Sequence, residues 1–164
     1  MLALFKNTFK EKLYEHIKLR EGYKEVVYLD SLGKMTGGIG HLLNAKDKKK
    51  FLLESKIPKE IIEDWYEKDI EKSLDACNEQ CKILNLYDKD FKIALTSVNF
   101  QLGTKWFRKF PKTWHALCHK EYDNAIAEIT YKVPGNLEHS DWYKQTPVRV
   151  KDFAEAIENI KESI

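Results

Sequence analysis

The chain contains few cysteines and no long apolar run, and each of these two shortages argues against a class of protein. Its 164 residues include three cysteines, an odd number that argues against a disulfide framework. No stretch approaches the roughly 18 apolar residues that a membrane-spanning helix requires. The N-terminus lacks a long apolar segment and a small-residue cleavage site, so we expect no signal peptide and folding in a cytoplasm.

Charge of one sign is also scarce. The 28 basic and 26 acidic residues leave a net charge of +2, whereas nucleic-acid binding usually requires a concentrated basic face. We therefore expect no nucleic-acid partner, although the weak positive balance suits an acidic polymer such as a cell-wall glycan. A content of 43 % hydrophobic and 33 % charged residues is typical of a soluble globular protein.

Two of the cysteines, Cys77 and Cys81, lie one helical turn apart, and this spacing has two interpretations. It resembles half of a metal site, or it places two small residues on one face of a helix. No C-x-x-C pair or histidine-rich segment follows to complete four ligands, so the structural interpretation is favoured. We expect no metal and no organic cofactor.

The first twenty residues predict an amphipathic helix. Apolar side chains recur at every fourth position: Phe5, Phe9, Leu13 and Ile17. This period predicts a helix from about Leu4 to about Arg20, and Gly22 suits its end. The helix is basic, so it either packs its apolar face on the core, which we favour, or makes weak contact with an anionic membrane.

Glycine is rare but concentrated, since four of the seven glycines lie between residues 33 and 40. Val26–Tyr28 and Met35–Ile39 favour strands, and the segment from Asp30 to Gly33 favours a turn between them. The pattern predicts a small glycine-rich antiparallel sheet, the only convincing β-structure in the chain. The lysine cluster at 46–50 predicts a loop or the start of a helix.

The remainder of the chain predicts helices. A long helix begins near Pro58, and a strongly apolar helix over Phe91–Leu102 ends at Gly103. Further helices are predicted over Thr113–His119, Tyr122–Tyr131 and Val148–Ile160. The fold class is therefore α+β and mostly helical. We expect one domain of two lobes: a sheet lobe over about 20–57, a linking helix over about 58–82, and a helical lobe over about 83–164 that includes the helix at 4–20.

Glu21, Asp30 and Thr36 could together hydrolyse a glycosidic bond, a reaction that requires two carboxyl groups flanking one linkage. Glu21 lies at the C-terminal end of the first helix, where the helix dipole disfavours an ionised carboxylate, as a general acid requires. Asp30 lies in a polar turn whose backbone N–H groups favour the anion. The Thr36 hydroxyl could hold the attacking water. Each residue type at such a position is most often structural, and spacing alone does not prove convergence.

These residues carry a resemblance to a known family. Eight residues separate Glu21 from Asp30, five separate Asp30 from Thr36, and G-x-G-H-L-L follows at 38–43. This arrangement resembles the phage-type lysozymes. PKEIIEDWYEKDI at 58–70, NFQLG at 99–103 and SDWYKQTPVR at 140–149 are also similar to that family, in the same order.

The resemblance implies a muramidase that cleaves the β-1,4 bond between N-acetylmuramic acid and N-acetylglucosamine in peptidoglycan. Glu21 would protonate the leaving oxygen. Asp30 would assist the water or stabilise the oxocarbenium-like transition state, and Thr36 would hold that water. The family inverts the anomeric carbon, so the two carboxyl groups should lie about 6.5–9.5 Å apart.

Further residue roles follow from the resemblance alone. It implies substrate contacts at Leu42, Phe100, Gln101, Thr113 and Glu128. Glu128 stands where the family has an asparagine, so that contact is a departure. Arg149 matches the arginine that pairs with the catalytic glutamate, whereas His41 and Asp69 match a structural ion pair.

The leading hypothesis is a monomeric phage endolysin that acts on peptidoglycan glycan strands and waits in the host cytoplasm until it is released to the wall. A lytic transglycosylase is an alternative, which Asp30 and Thr36 argue against. A non-catalytic glycan-binding module on a lysozyme fold is a second alternative. Trp106 and Phe107 would either stack on sugar rings or pack beneath the helical lobe.

Overall fold

The structure is a computed structural model that describes residues 8–133 and 135–164. Nine helices and three strands lie within these residues, which confirms the mostly helical α+β class. In chain order these are α1 (Phe9–Glu21), β1 (Lys24–Leu29), β2 (Met35–Gly38), β3 (His41–Leu42), α2 (Ala45–Lys50), α3 (Lys59–Leu84), α4 (Lys89–Leu102), α5 (Trp106–Lys109), α6 (Pro111–Cys118), α7 (Tyr122–Thr130), α8 (Asp141–Gln145) and α9 (Pro147–Glu162).

Contacts divide the chain into two units, one up to Lys72 and one from Ser73, so that α3 contributes to both. The first unit holds the sheet, α1 and α2. This grouping differs from the predicted lobes, which placed the N-terminal helix with the helical part of the chain. The predicted boundaries of the lobes otherwise stay a prediction.

The first unit is built on a three-stranded antiparallel sheet in the order β1-β2-β3. Tyr28 on β1 pairs with Thr36 on β2, and Thr36 pairs in turn with Leu42 on β3. These three side chains therefore lie on one face of the sheet. The sequence predicted β1 and β2 but not β3, because two residues are too short to show an alternating pattern.

Glycine at position 38 allows the sheet to approach α3 closely. Gly38 has φ +59°, and a Cβ added there would lie 3.0 Å from the Cγ2 atom of Ile62. Ile62 is fully buried in the apolar core of this unit. Because an L side chain is disfavoured at this φ and would crowd the isoleucine, the glycine is needed for packing.

Helix α1 ends as the sequence predicted, and its expected start at Leu4 lies outside the described residues. The Thr8 hydroxyl caps its N-terminus by accepting the Glu11 N–H, and Gly22 (φ +81°) ends it by donating to the Lys18 carbonyl at 2.8 Å. Leu13 and Ile17 are buried. These two residues of the apolar face therefore pack inside the protein, as the favoured interpretation expected, and weak membrane contact of this helix stays a prediction.

The second unit packs its helices around a large apolar core. Its fully buried members include Phe91, Leu95, Trp106, Leu117, Ile129, Phe153 and Ile157. Trp106 is 0 % exposed, and its indole N–H donates to the Gln80 side-chain oxygen at 3.2 Å. Trp106 is thus a core residue, so the alternative that it stacks on sugars is wrong in this structure.

A buried amide pair joins α3 to α4 within the second unit. Gln80 and Asn99 exchange two hydrogen bonds of 2.9 and 2.8 Å, and Asn99 also donates to the Leu95 carbonyl. Gln80 donates further to the carbonyl of Thr104 and accepts from Trp106. Every hydrogen-bonding group of the pair is therefore engaged inside the protein.

Cys77 and Cys81 are buried on α3 with their Sγ atoms 3.8 Å apart. Among the described residues, no group of three or more histidine, cysteine or acidic side chains lies close enough to hold a metal ion. Within the same residues, no helix combines the length and the apolar character needed to cross a bilayer.

The predicted helices after Pro58 are confirmed as α3, α4, α6, α7 and α9. Of the three shortest helices, α2 agrees with one of the two predicted alternatives for the lysine cluster, the start of a helix, and the other two were not predicted. The lysine cluster at 46–50 lies in α2, which begins with a capping box between Asn44 and Asp47. The four- and five-residue helices α5 and α8 were not predicted, because such short segments show no helical period.

Candidate active site

Glu21 is the last residue of α1 and is half-buried. Its carboxyl group lies against the backbone of Gly40, the residue before β3. A Cβ added at Gly40 would lie only 2.6 Å from Oε2 and 3.0 Å from Cδ of Glu21. Gly40 also has φ +62°, so any other residue would be strained and would displace the carboxyl group.

Asp30 directly follows β1 and is oriented by the turn that it begins. Its Oδ1 atom accepts the backbone N–H groups of Leu32 at 2.9 Å and Lys34 at 2.8 Å. These are the backbone donors that the turn was expected to supply. Its Oδ2 atom makes no hydrogen bond to the residues that the structure describes, so it can accept one from a substrate or water.

Thr36 lies on β2 and is 6 % exposed. Its hydroxyl donates to the Lys34 carbonyl at 3.1 Å, which leaves the oxygen lone pairs able to accept. The backbone of Lys34 thus joins the two polar residues, since its N–H binds Asp30 and its carbonyl binds Thr36. An exposure this small suits contact with one water molecule better than contact with a sugar ring.

Tyr28 completes this group and was not identified from the sequence. It is half-buried and lies directly across the sheet from Thr36. Burial raises the pKa of the Tyr28 phenol, and the negative charges of Glu21 and Asp30 raise it further. Both carboxyl groups are therefore close enough to repel a phenolate at Tyr28. Only the pairing of β1 with β2 could have revealed this residue.

His41 lies on β3, beside Leu42, and holds that strand in place. Its Nδ1 atom lies 2.7 Å from Asp69 Oδ2, so the predicted contact between these residues is present. Its Nε2 atom lies 2.9 Å from Asp47 Oδ2, a contact that the sequence did not predict. The imidazole stacks on the Trp65 indole with a centroid distance of 4.3 Å.

The two carboxylates determine the charge of His41. Burial lowers the pKa of the His41 imidazole, but hydrogen bonds to Asp69 and Asp47 outweigh it, and the net pKa is raised above its ordinary value. The pKa of Asp47 shifts in the opposite direction: burial raises it, but the bonds to His41 and Asn44 leave it lowered. The three side chains therefore favour an imidazolium between two carboxylates.

Among the predicted substrate contacts, Leu42 is 52 % exposed on β3. In the second unit Phe100 is half-buried near the end of α4. The amide of Gln101 is held at both ends, because Oε1 accepts the Trp142 indole N–H at 3.2 Å and Nε2 donates to the Thr146 hydroxyl at 3.1 Å. Sugar contact at these residues stays a prediction.

Two further predicted substrate contacts, Thr113 and Glu128, lie in different surroundings from one another. Thr113 is only 1 % exposed on α6, so its side chain packs in the interior and cannot reach a glycan directly. Glu128 is half-buried and lines an open groove of about 480 Å³ between α6 and α7, with Lys112, His115 and Asn124. Arg149 is buried on α9, and its pairing with Glu21 stays a prediction.

The arrangement in the first unit supplies three chemical functions. A carboxyl group at the end of α1 can carry a proton. A fixed carboxylate and a hydroxyl that share the Lys34 backbone can each accept a hydrogen from one water, which leaves a lone pair of that water free for attack. None of these functions requires a metal.

Known proteins resemble this chain over a range that contains these residues. A sequence model of the phage lysozyme family matches residues 18–139, a range that includes the carboxyl groups and the hydroxyl described above. A curated relative from Dictyostelium discoideum, described as "Probable T4-type lysozyme 2", is 30 % identical over 157 residues. The alignment covers 84 % of this chain and 88 % of the relative.

Proposed function

Because this chain belongs to the phage lysozyme family, we propose that it is a muramidase that cleaves the β-1,4 bond between N-acetylmuramic acid and N-acetylglucosamine within peptidoglycan strands. Family membership supports a peptidoglycan hydrolase of the muramidase type. The identity of the cleaved bond and the inversion of the anomeric carbon are proposed in addition to that activity. One observation carries it: the Lys34 backbone holds Asp30 and Thr36 together, and Tyr28 pairs with Thr36 directly across the sheet.

Glu21 is proposed as the general acid. It lies at the C-terminal end of α1, and in its protonated form it can donate to the glycosidic oxygen as the bond breaks. Gly40 supports this role because the absence of a side chain leaves room for the carboxyl group.

Asp30 and Thr36 are proposed to position the attacking water. A water that donates one hydrogen to Asp30 Oδ2 and the other to Thr36 Oγ1 points a lone pair outward. Asp30 then removes a proton as the water attacks the anomeric carbon, and its charge stabilises the oxocarbenium-like transition state. Attack from the face opposite the leaving group inverts the anomeric carbon, a reaction for which the two carboxyl groups should lie about 6.5–9.5 Å apart.

We further propose that the protein lyses a host cell from within, as a phage endolysin does. It would accumulate in the host cytoplasm as a monomer and reach the glycan strands after release to the wall. The relative from Dictyostelium discoideum means that family likeness alone does not assign the chain to a phage. Lysis of cells that express this chain together with a membrane-pore protein would test the biological role.

Product analysis tests the proposed reaction. Purified peptidoglycan is digested with the full chain, and the soluble fragments are analysed by mass spectrometry and proton NMR. We expect fragments that end in reducing N-acetylmuramic acid and an initial α anomer. Glu25→Gln, at an exposed carboxylate of β1, is the matched control and should give the same products at the same rate.

The alternatives give different products. A lytic transglycosylase would release 1,6-anhydro ends without adding water. A glycan-binding module would bind the wall material and release no fragments. An initial β anomer would still be a product of hydrolysis, but it would contradict the water position proposed for Asp30 and Thr36.

A further inference from the structure

A basic and apolar surface follows the sheet and has no role in the proposed reaction. Helix α2 and the turn after it carry four exposed lysines and then two exposed leucines, a segment that we call the α2 tip (residues 46–53). Its exposed members are Lys46, Lys48, Lys49, Lys50, Leu52 and Leu53. All six lie within eight consecutive residues, on one short helix and the turn that follows it.

The positive charge of the α2 tip is not neutralised locally. None of its lysines forms an ion pair with any residue in the described ranges 8–133 and 135–164. Asp47 is the one acidic residue within the tip, and its carboxylate accepts from His41 and from the Asn44 N–H. Just beyond the tip, the opposite charges of Glu54 and Lys56 offset each other.

The leucines are held outward on a fixed turn. Leu52 is 71 % exposed and Leu53 is 48 % exposed. The Leu52 N–H donates to the Ser55 hydroxyl at 2.9 Å, and the Ser55 N–H donates back to the Leu52 carbonyl at 3.0 Å. Phe51 anchors the base of the turn by packing edge-on against Trp65, with 5.6 Å between the ring centroids. The exposure of the leucines is therefore a property of an ordered turn.

An ordinary explanation accounts for only part of this surface. Lysines in the last turn of a helix stabilise its negative end, and Lys48, Lys49 and Lys50 occupy that position. This effect gives no reason for two adjacent leucines to face solvent, where each loses the stabilisation that burial would give. Lysines beside protruding apolar side chains match the boundary between lipid headgroups and acyl chains.

We propose that the α2 tip is a docking surface for an anionic lipid bilayer, in which the lysines bind headgroup phosphates and the two leucines enter the acyl region. The leucines favour a bilayer over a soluble polyanion, because a phosphate polymer would engage the lysines alone. The surface lies in the same unit as Glu21 and Asp30 but shares no residue with them. The inference is therefore independent of the proposed hydrolase.

Vesicle flotation with the full chain tests the proposal. Vesicles of phosphatidylcholine with phosphatidylglycerol are compared with vesicles of phosphatidylcholine alone at physiological salt. We expect binding to the anionic vesicles only. Lys49→Gln/Lys50→Gln should weaken it by about twenty-five-fold, at about fivefold per lysine, and Leu52→Ser/Leu53→Ser should weaken it by about tenfold.

Two matched controls test the location of the surface. Leu19→Ser changes a leucine of α1 that is also 71 % exposed, and Lys10→Gln/Lys12→Gln changes two exposed lysines of the same helix. Both should bind as the wild type does. Loss of binding in these α1 variants, with the α2 variants unchanged, would move the membrane contact to the N-terminal helix and overturn the proposal.

Two further outcomes would also contradict the proposed docking of the α2 tip on a bilayer. Absence of binding to anionic vesicles would refute the proposal directly. Equal competition by soluble polyphosphate, together with no effect of Leu52→Ser/Leu53→Ser, would indicate a polyanion site instead. Because all the substituted side chains are exposed, circular dichroism should show the wild-type fold in each variant, and cleavage of short soluble glycan fragments should be unchanged.

Discussion

Polar side chains are held differently in the two units of the molecule. In the first unit, Asp30 and Thr36 are held by backbone groups of a glycine-containing turn and its strand. In the second unit, Gln80 and Asn99 are held mainly by each other, at the centre of a helical core. The backbone contacts in the first unit use only part of the hydrogen-bonding capacity of Asp30 and Thr36. In the second unit, every amide N–H and both amide oxygens of the pair have a partner.

Unused hydrogen-bonding capacity therefore separates the two kinds of polar residue. Asp30 is partly exposed and keeps one carboxylate oxygen without a hydrogen bond to the described residues. Asn99 is 1 % exposed, and both of its amide N–H groups and its side-chain oxygen already have partners inside the protein. A group that must contact a substrate needs free capacity beside an opening, and a group that specifies packing needs none.

The largest expected effect comes from the acid of the first unit. Glu21→Gln keeps the shape of the side chain but removes the transferable proton, so turnover on wall material should fall by about 10²–10⁴-fold. The free energy of unfolding should change by less than about 1 kcal/mol, because the substitution is nearly isosteric. Turbidity clearing and urea unfolding measure the two quantities. Clearing at the wild-type rate would remove Glu21 from the role of acid.

The second unit should show the opposite pattern. Gln80→Leu leaves the Asn99 amide and the Trp106 indole N–H without their partner in a closed core. Unsatisfied buried groups cost about 1–3 kcal/mol each, so we expect the free energy of unfolding to fall by about 3 kcal/mol. Activity per folded molecule should stay near the wild-type value, as urea unfolding combined with clearing assays would show.

A double substitution sharpens this result. Gln80→Leu/Asn99→Leu removes both members of the amide pair, so fewer buried polar groups are left without a partner. Its destabilisation should be smaller than the sum of the two single effects. Glu79→Leu, at the exposed neighbouring position on α3, controls for a change in helix propensity. Strict additivity of the two single effects would mean that the amides do not act as a pair.

Local features of the chain predicted much of the fold. The four-residue period of the first helix, its end at Gly22 and the turn that begins at Asp30 all depend on neighbours in sequence, and all are present. Helix α4 was predicted for the same reason, since its apolar residues and the stop at Gly103 are close together in the chain.

Features that depend on pairing between distant segments were not predicted. Tyr28 became a candidate only when β1 paired with β2, and Gly40 only when its backbone met the carboxyl group of Glu21. The amide pair joins Gln80 and Asn99, which are 19 positions apart in sequence and lie on different helices, and no periodicity can show such a contact. The burial of Thr113 was not predicted for a related reason: a match to the family assigns a residue position but not its exposure.

One residue in the first unit resembles the amides of the second, because both ring nitrogens of His41 have a carboxylate partner. Only a doubly protonated imidazole can donate from both ring nitrogens, so the contacts of His41 with Asp47 and Asp69 require the imidazolium. The difference is charge. An amide pair is insensitive to pH, whereas this network should make the first unit pH-dependent.

The sign of that dependence follows from the pKa directions. Because the folded-state pKa of His41 lies above its ordinary value of 6.5, its contribution to stability is complete below that value and is lost as pH rises through the folded-state pKa. The pKa of Asp47 is lowered, so its contribution is present above its ordinary value and is lost as pH falls through the folded-state value. The network should stabilise the protein most between these limits.

His41→Asn tests the smallest of the expected effects. The substitution should destabilise the protein by about 1–3 kcal/mol in weakly acidic solution, a range kept modest because Asp69 is 34 % exposed. The difference from the wild type should shrink as pH rises through the folded-state pKa of His41. Urea unfolding across the pH range measures it, with His119→Asn, at the exposed residue that follows α6, as control. If the wild-type and His41→Asn curves run parallel at every pH, then His41 is not an imidazolium between two carboxylates, and its contacts are neutral ones like those of Gln80.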